Sequence, residues 1–208
     1  MAQWYRNALV KIINKEADFD SDTLKLTLHT SSYTPNLDTH DYVDDLSAEL
    51  AASGGYTTGG VTLTSPTVTY TAANSWGTAR ANTTAYALGA IIRPASANGF
   101  LYQVTVAGTS GAAPPTFPTV VGREVADGAS AFLTCVGKGI IVLDAADPSW
   151  ATATFTGVRY GVISDRTPGT AATQPLLGLI DFVTDQAGGG GAFTIVFDAQ
   201  GILQLLVP

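Results

Sequence analysis

The sequence predicts an all-β protein: an antiparallel β-sandwich or barrel-like host domain, a small inserted β-module and one short N-terminal helix. Three observations carry this reading. The acids are 14 Asp against 3 Glu, and Asp favours turns and caps where Glu favours helix interiors. The 208 residues include 22 Gly and 10 Pro, which punctuate chains of short strands. Apolar segments recur at short, regular spacing through the second half, with no helix-length periodic segment between them, which argues against a parallel α/β sheet.

The elements follow in order. Over residues 4–15, Trp4, Ala8, Leu9, Ile12 and Ile13 recur at helical spacing, leaving Arg6, Asn7, Lys11 and Lys15 on the opposite face. A strand through ALVKII is the competing reading. From Leu24 the period becomes two. Leu24, Leu26 and Leu28 alternate with Lys25, Thr27 and His29, which predicts a half-buried strand with His29 on its solvated face. The strand ends in the turn cluster SSYTPN. The acid-rich stretch 36–50 (NLDTHDYVDDLSAEL) has room for one short helical turn, and GGYTTGG reads as a flexible connector. Val61 and Leu63, then Val68 and Tyr70, form two strand pieces hinged at Pro66, as an edge or bulge allows. Strands follow at 140–143, 155–163, 176–182, 193–197 and 202–207, set off by clusters such as SDRTPGTAATQP and DQAGGGGA.

Residues 78–138 differ from their surroundings. They carry Arg80, Arg93, Arg123 and Lys138 against Glu124 and Asp127, a net charge of +2 that leaves −9 for the rest. Strands are expected near 88–92, 100–106 and 131–136, joined by Gly/Pro loops. With Val68–Tyr70 before and Ile140–Leu143 after, the simplest picture is a hairpin whose turn has been replaced by a module. The expected domains are a host of residues 1–77 plus 139–208 and an insertion of 78–138.

Composition narrows the function. At 46% hydrophobic and 13% charged the chain is too apolar for intrinsic disorder, and no apolar run approaches the roughly 18 residues of a spanning helix. The opening MAQWYRNALVKII lacks the basic, apolar and small-residue order of a signal peptide, so an unexported chain is expected. A net charge of −7 and a pI near 4.5 argue against nucleic acid as a partner. Cys135 is the one cysteine, which excludes an intrachain disulfide and Cys-rich zinc modules.

The candidate chemistry is sparse. DFDSD at 18–22 begins like a calcium loop, but Thr23 stands where such a loop needs Gly and His29 where it needs a bidentate Glu. A turn leading into the strand fits better. His29 and His40 lack metal-ligand spacing; flanking acids are expected to raise their pKa values. GTSG at 108–111 is not a nucleophile elbow, because Gly111 follows Ser110 directly. The glycines at 188–191 are followed by no Lys and read as a hairpin loop. Cys135, in FLTCV, reads as a small hydrophobe. Trp150, in ADPSWATATF, reads as packed at a strand start, with a partner interface as the alternative. No catalytic residue, metal or cofactor is expected.

Two resemblances add to this. TAYALGAIIRP, NGFLYQVTVAGTSG, PPTFPT and DGASAFL in the insertion resemble the small carbohydrate-binding-like modules of chitinases and phage fibres. That resemblance implies aromatic rings stacked on sugars, with Tyr86, Tyr102 and Phe117 as the candidate face. Phe117 and Phe132 stand where that family often has Trp. The host segments 7–47 (NALVKII through VDDLS), GGVTLTSPTVTY, IIVLDAADPSWATATFTGVRYGVISD, PLLGLIDF and FTIVFDAQGILQL resemble small structural proteins of tailed bacteriophages. This implies a non-enzymatic virion component that decorates or cements the capsid surface as a homotrimer, bound to the major capsid protein. Trp4, Tyr5 and Trp150 are then the candidate partner contacts. The alternative is a tail or fibre adhesin for host surface glycans. Neither implies a membrane or nucleic-acid partner.

Overall fold

The computed structural model describes residues 2–208. Its strands in the first half are β1 (Gln3–Trp4), β2 (Leu24–Thr30), β3 (Val61–Thr62), β4 (Thr67–Ala72), β5 (Ala85–Tyr86), β6 (Ile91–Ile92) and β7 (Leu101–Val106). There follow β8 (Gly108–Thr109), β9 (Glu124–Asp127), β10 (Ala131–Gly137), β11 (Gly139–Asp144) and β12 (Ser149–Trp150). The last are β13 (Val158–Asp165), β14 (Leu176–Gln186), β15 (Phe193–Thr194) and β16 (Leu203–Val207). Helical structure among the described residues is limited to α1 (Ala8–Ile13) and three single 3-10 turns. The protein is all-β, with its sheets antiparallel.

The chain divides into two compact units, one of Met1–Val68 and Leu143–Leu203, the other of Thr69–Val142 and Gln204–Pro208. The first is built on a five-stranded sheet in the order β1-β14-β13-β2-β3, antiparallel throughout. Its central strands bury both faces. On β2, Leu24, Leu26 and Leu28 are buried on one side, and Thr27 and His29 on the other. The solvated face expected for His29 is therefore not found. The loop after β2 folds back over it: His29 bridges to Glu49, and the Leu28 N–H donates to the Tyr56 hydroxyl at 3.1 Å. Period-two alternation reports which side a residue faces, but not whether a later loop covers that side.

The N-terminal helix is shorter than expected and turned about its axis. Residues 3–4 form a strand instead, with Trp4 opposite Gly178 of β14. Lys11, expected on the outer face, has a side chain only 12% exposed. Its ammonium ion lies 3.1 Å from Glu16, 3.6 Å from Asp41 and 3.9 Å from the centre of the Tyr42 ring. Its hydrogen bond to the Tyr42 hydroxyl completes the enclosure. In a helix of only six residues, this acid and aromatic cage outweighs the apolar stripe. Ile13, expected inside, is 77% exposed.

Elsewhere in this unit, β13 starts at Val158, after a bend that leaves Phe155 in an aromatic cluster with Tyr56, Trp150 and Phe193. The β12–β15 ribbon holds that cluster, pairing Trp150 with Phe193.

The second unit holds the four-stranded sheet β6-β7-β10-β9 and the ribbon β5-β8. Ile92, Tyr102, Val104, Leu133 and Cys135 form one core. Ala73, Trp76, Leu101 and Ile140 form another, against the three-stranded sheet β16-β11-β4. β4 and β11 are neighbours in that sheet, on either side of the inserted sequence. The second unit is wider than residues 78–138, because Ala73 and Trp76 contribute to its core and β16 supplies a strand from the C-terminus. β4 is an edge, exposed along nearly all of TVTYTA, with Tyr70 at 59%.

Gly60 fixes the return of the chain onto β2. Its φ is +71°, and a Cβ there would lie 2.0 Å from the Leu26 carbonyl oxygen. Gly60→Ala is therefore expected to destabilise the first unit by about 2 kcal/mol or more. Urea unfolding followed by Trp fluorescence measures it; an unchanged midpoint would contradict the close approach.

Candidate functional site

Two polar networks gather many of the side chains able to do chemistry. In the first unit, the His29 ring is bonded at both nitrogens, Nε2 to Thr27 Oγ1 at 2.9 Å and Nδ1 to the Ser47 carbonyl at 2.8 Å. Burial holds its pKa below the ordinary histidine value, the reverse of the expected rise; the Ser47 carbonyl and Glu49 pull the other way without overcoming it. His40 Nδ1 meets the Tyr33 hydroxyl at 2.9 Å, and that hydroxyl meets Tyr5 Oη at 3.0 Å. Burial first, then Tyr33, raises the Tyr5 pKa, so the pair stays neutral. Glu49 accepts from the Tyr56 hydroxyl at 2.7 Å and the Gly59 N–H at 2.6 Å. Together these bonds pin the chain between β2 and β3 onto the sheet.

In the second unit, Arg80 and Asp127 form a fully buried pair. Arg80 Nε donates to Asp127 Oδ2 at 2.9 Å and Nη2 to Oδ1 at 2.8 Å, a two-pronged contact. The same guanidinium donates to the Gly111 carbonyl at 2.6 Å and to Asn82 Oδ1. Burial pushes the Asp127 carboxyl up, but Arg80 and the Gly111 N–H outweigh it and hold the pKa below the usual carboxylate range. Ser110, in the GTSG turn, donates to the Ala81 carbonyl at 2.7 Å. One ion pair thus ties the start of the insertion to the β8 and β9 turns, a role that sequence spacing does not reveal.

The expected contact residues take different places. Tyr102 is fully buried, its ring 4.7 Å from that of Phe117 and its hydroxyl bonded to the Pro118 carbonyl at 2.7 Å. It has no face to offer a sugar. Phe117 is half-buried against the same core, and the half-buried Tyr86 accepts a bond from the Ala81 N–H. The structure therefore assembles no flat aromatic platform from these three. Tyr5 is fully buried and Trp150 is 7% exposed, so both hold the interior; Trp4 is half-buried in β1. Cys135 is buried, which pushes its thiol pKa up. DFDSD forms a turn in which Asp22 accepts from the Asp18 N–H at 2.6 Å. No group of three or more His, Cys, Asp or Glu side chains is placed to hold a metal among the described residues.

The exposed apolar side chains were not anticipated. Val10 and Ile13 project from α1, while Val183 and Val196, at 71% and 75% exposure, project from the first unit elsewhere. The exposure of Ile13 is illegible in the sequence because the helix rotation that causes it depends on the Lys11 cage.

Comparison with protein-family models, with curated proteins and with solved structures finds no match.

Two outcomes test the networks. Arg80→Met is expected to cost the second unit about 3 kcal/mol or more, since it strands a buried carboxylate. Arg80→Met with Asp127→Leu should recover much of that, and a single variant as stable as the parent would contradict the pair. Asp165, fully buried in β13, has its pKa pushed up to about 6 by burial and then by Asp22. Its unfolded pKa is about 3.9. The folded state therefore binds the extra proton, and this contribution is lost as pH rises from about 4 to about 6. Asp165→Asn should remove the loss and gain about 2 kcal/mol at pH 7 relative to acid. Denaturant midpoints across that range check the sign.

Proposed function

We propose that the chain is a non-enzymatic structural protein of a tailed-bacteriophage virion. In this reading the first unit, folded as a β-sandwich-like host, decorates or cements the capsid surface against the major capsid protein. The second unit projects outward, and three copies gather at a local threefold position. The observation that carries the non-catalytic reading is the fate of the reactive side chains. Both His29 nitrogens, the Ser110 hydroxyl, Cys135 and the Arg80–Asp127 pair are spent on burial and on internal hydrogen bonds. The phage assignment itself rests on the resemblance of the host segments.

Assembly is supported by what lies outside. Val10 and Ile13 on α1 and the uncharged edge strand β4 present apolar or neutral surface of the kind a partner covers. The glycan-adhesin alternative loses force, because Tyr102 and Phe117 pack together in the core of the module.

Quantitative mass spectrometry of purified virions, with immunogold labelling, tests the reading. Hundreds of copies spread over the shell are expected. A few copies at the tail tip would favour the adhesin, and absence from the particle would overturn the virion assignment altogether.

A further inference from the structure

At one end of the five-stranded sheet an open cleft of about 460 Å³ is lined by Thr23, Lys25, Gly59, Arg166, Thr167 and Gln174. Two of its six lining residues are cations, in a chain with a net charge of −7. The elements that place them are rigid. Lys25 stands on β2, opposite Ser164 of β13 and Thr62 of β3. Arg166 follows β13 directly, and its backbone N–H donates to the Thr23 carbonyl at 2.8 Å.

The Arg166 side chain is held in one orientation by neutral acceptors. Its Nε donates to Ser164 Oγ at 2.9 Å, and Nη1 donates to Gln174 Oε1 at 3.2 Å. Gln174 is itself fixed by a bond to the Pro168 carbonyl at 2.8 Å. The Thr23 N–H donates to Thr167 Oγ1 at 2.7 Å, closing the floor between them.

Arg166 and Lys25 are half-buried, yet among the described residues neither forms an ion pair. Three neighbours bear on the guanidinium: Glu49, Tyr56 and His29. The Glu49 carboxylate is turned to Tyr56 and to the Gly59 N–H, and His29 stays neutral. Asp165 accepts from the Thr167 N–H at 2.8 Å, and Asp22 lies beside Asp165. A guanidinium that is partly desolvated and pre-oriented, and that has only the attraction of a Glu49 carboxylate bonded elsewhere, keeps its charge at a cost. An oxyanion seated in the cleft offsets that cost through charge-assisted bonds, which are the strong ones.

We propose that this cleft is an oxyanion-binding site, taking a phosphate or carboxylate group between the Arg166 guanidinium and the Lys25 ammonium. The same chemistry is offered by free or esterified phosphate and by an acidic side chain of a partner. The site does not depend on the virion reading.

The test uses the full chain labelled with ¹⁵N, titrated at pH 7 and constant ionic strength with inorganic phosphate and, separately, with succinate; chloride is the control. Saturable amide shifts at Thr23, Lys25, Arg166 and Thr167 are expected. Lys25→Gln should weaken binding about tenfold, the worth of one charge-assisted contact, and Arg166→Gln, which removes the fixed guanidinium, should weaken it more. Phosphate alone saturating assigns a phosphate source, succinate alone a carboxylate source, and both together a general oxyanion site. If Arg166→Gln does not fold, Lys25→Gln decides. No saturable shift with either anion at tens of millimolar, or an affinity unchanged by Lys25→Gln, would overturn the proposal.

Discussion

The first unit depends on a pairing between distant parts of the chain. β13 lies between β14, its neighbour in sequence, and β2, which comes far earlier; Thr27 and Val162 face one another across a separation of 135 residues. Removing this pairing would leave β2 and β3 with no sheet to join, and the loop over His29 with nothing to cover. The intervening chain builds most of the second compact unit, which β16 from the C-terminus completes, before it returns through β11. Closing so long a loop costs little more than closing a short one, since the entropy grows only with the logarithm of length. The consequence is kinetic: non-local antiparallel pairing of this kind folds slowly.

Polar side chains are used in both units to lock loops that apolar burial alone leaves loose. Tyr5, Tyr33, His29, His40, Glu49 and Tyr56 fasten the loops that follow β2, and Arg80 with Asp127 gathers the ends of the β5–β8 and β9 turns. Such buried pairs contribute little net stability, but losing one partner is costly. They specify one arrangement of the loops they fasten. Arg166 departs from this pattern, since among the described residues its fixed guanidinium forms no ion pair.

The strand pattern was legible where one residue type repeats at a clear period. Leu24, Leu26 and Leu28 marked β2, the Pro66 hinge marked the edge strand β4, and Leu101–Val106 and Ala131–Gly137 lay where the insertion was expected to have strands. Two-residue strands such as β5, β8 and β12 are too short to carry a period, and hydrogen bonding alone defines them. The environment of single residues was less legible still. His29 is covered by a loop eighteen residues further on, and Lys11 is caged by Tyr42 and Asp41, thirty residues away. Tyr102, a candidate for the sugar face by resemblance, is buried beside Leu101, because both sides of β7 are covered and alternation alone does not say which side is inward.

The central claim is that β2, β13 and β14 form one cooperative block despite their separation in sequence. Native-state hydrogen exchange tests it directly, at the backbone amides of Leu26, Thr27, Leu28, Val162, Ile163 and Leu179. If the account holds, these amides share one opening free energy, equal to that of global unfolding of the unit, and respond alike to denaturant. Exchange of the β2 amides through a separate opening about 2 kcal/mol or more below that of β13 would contradict it.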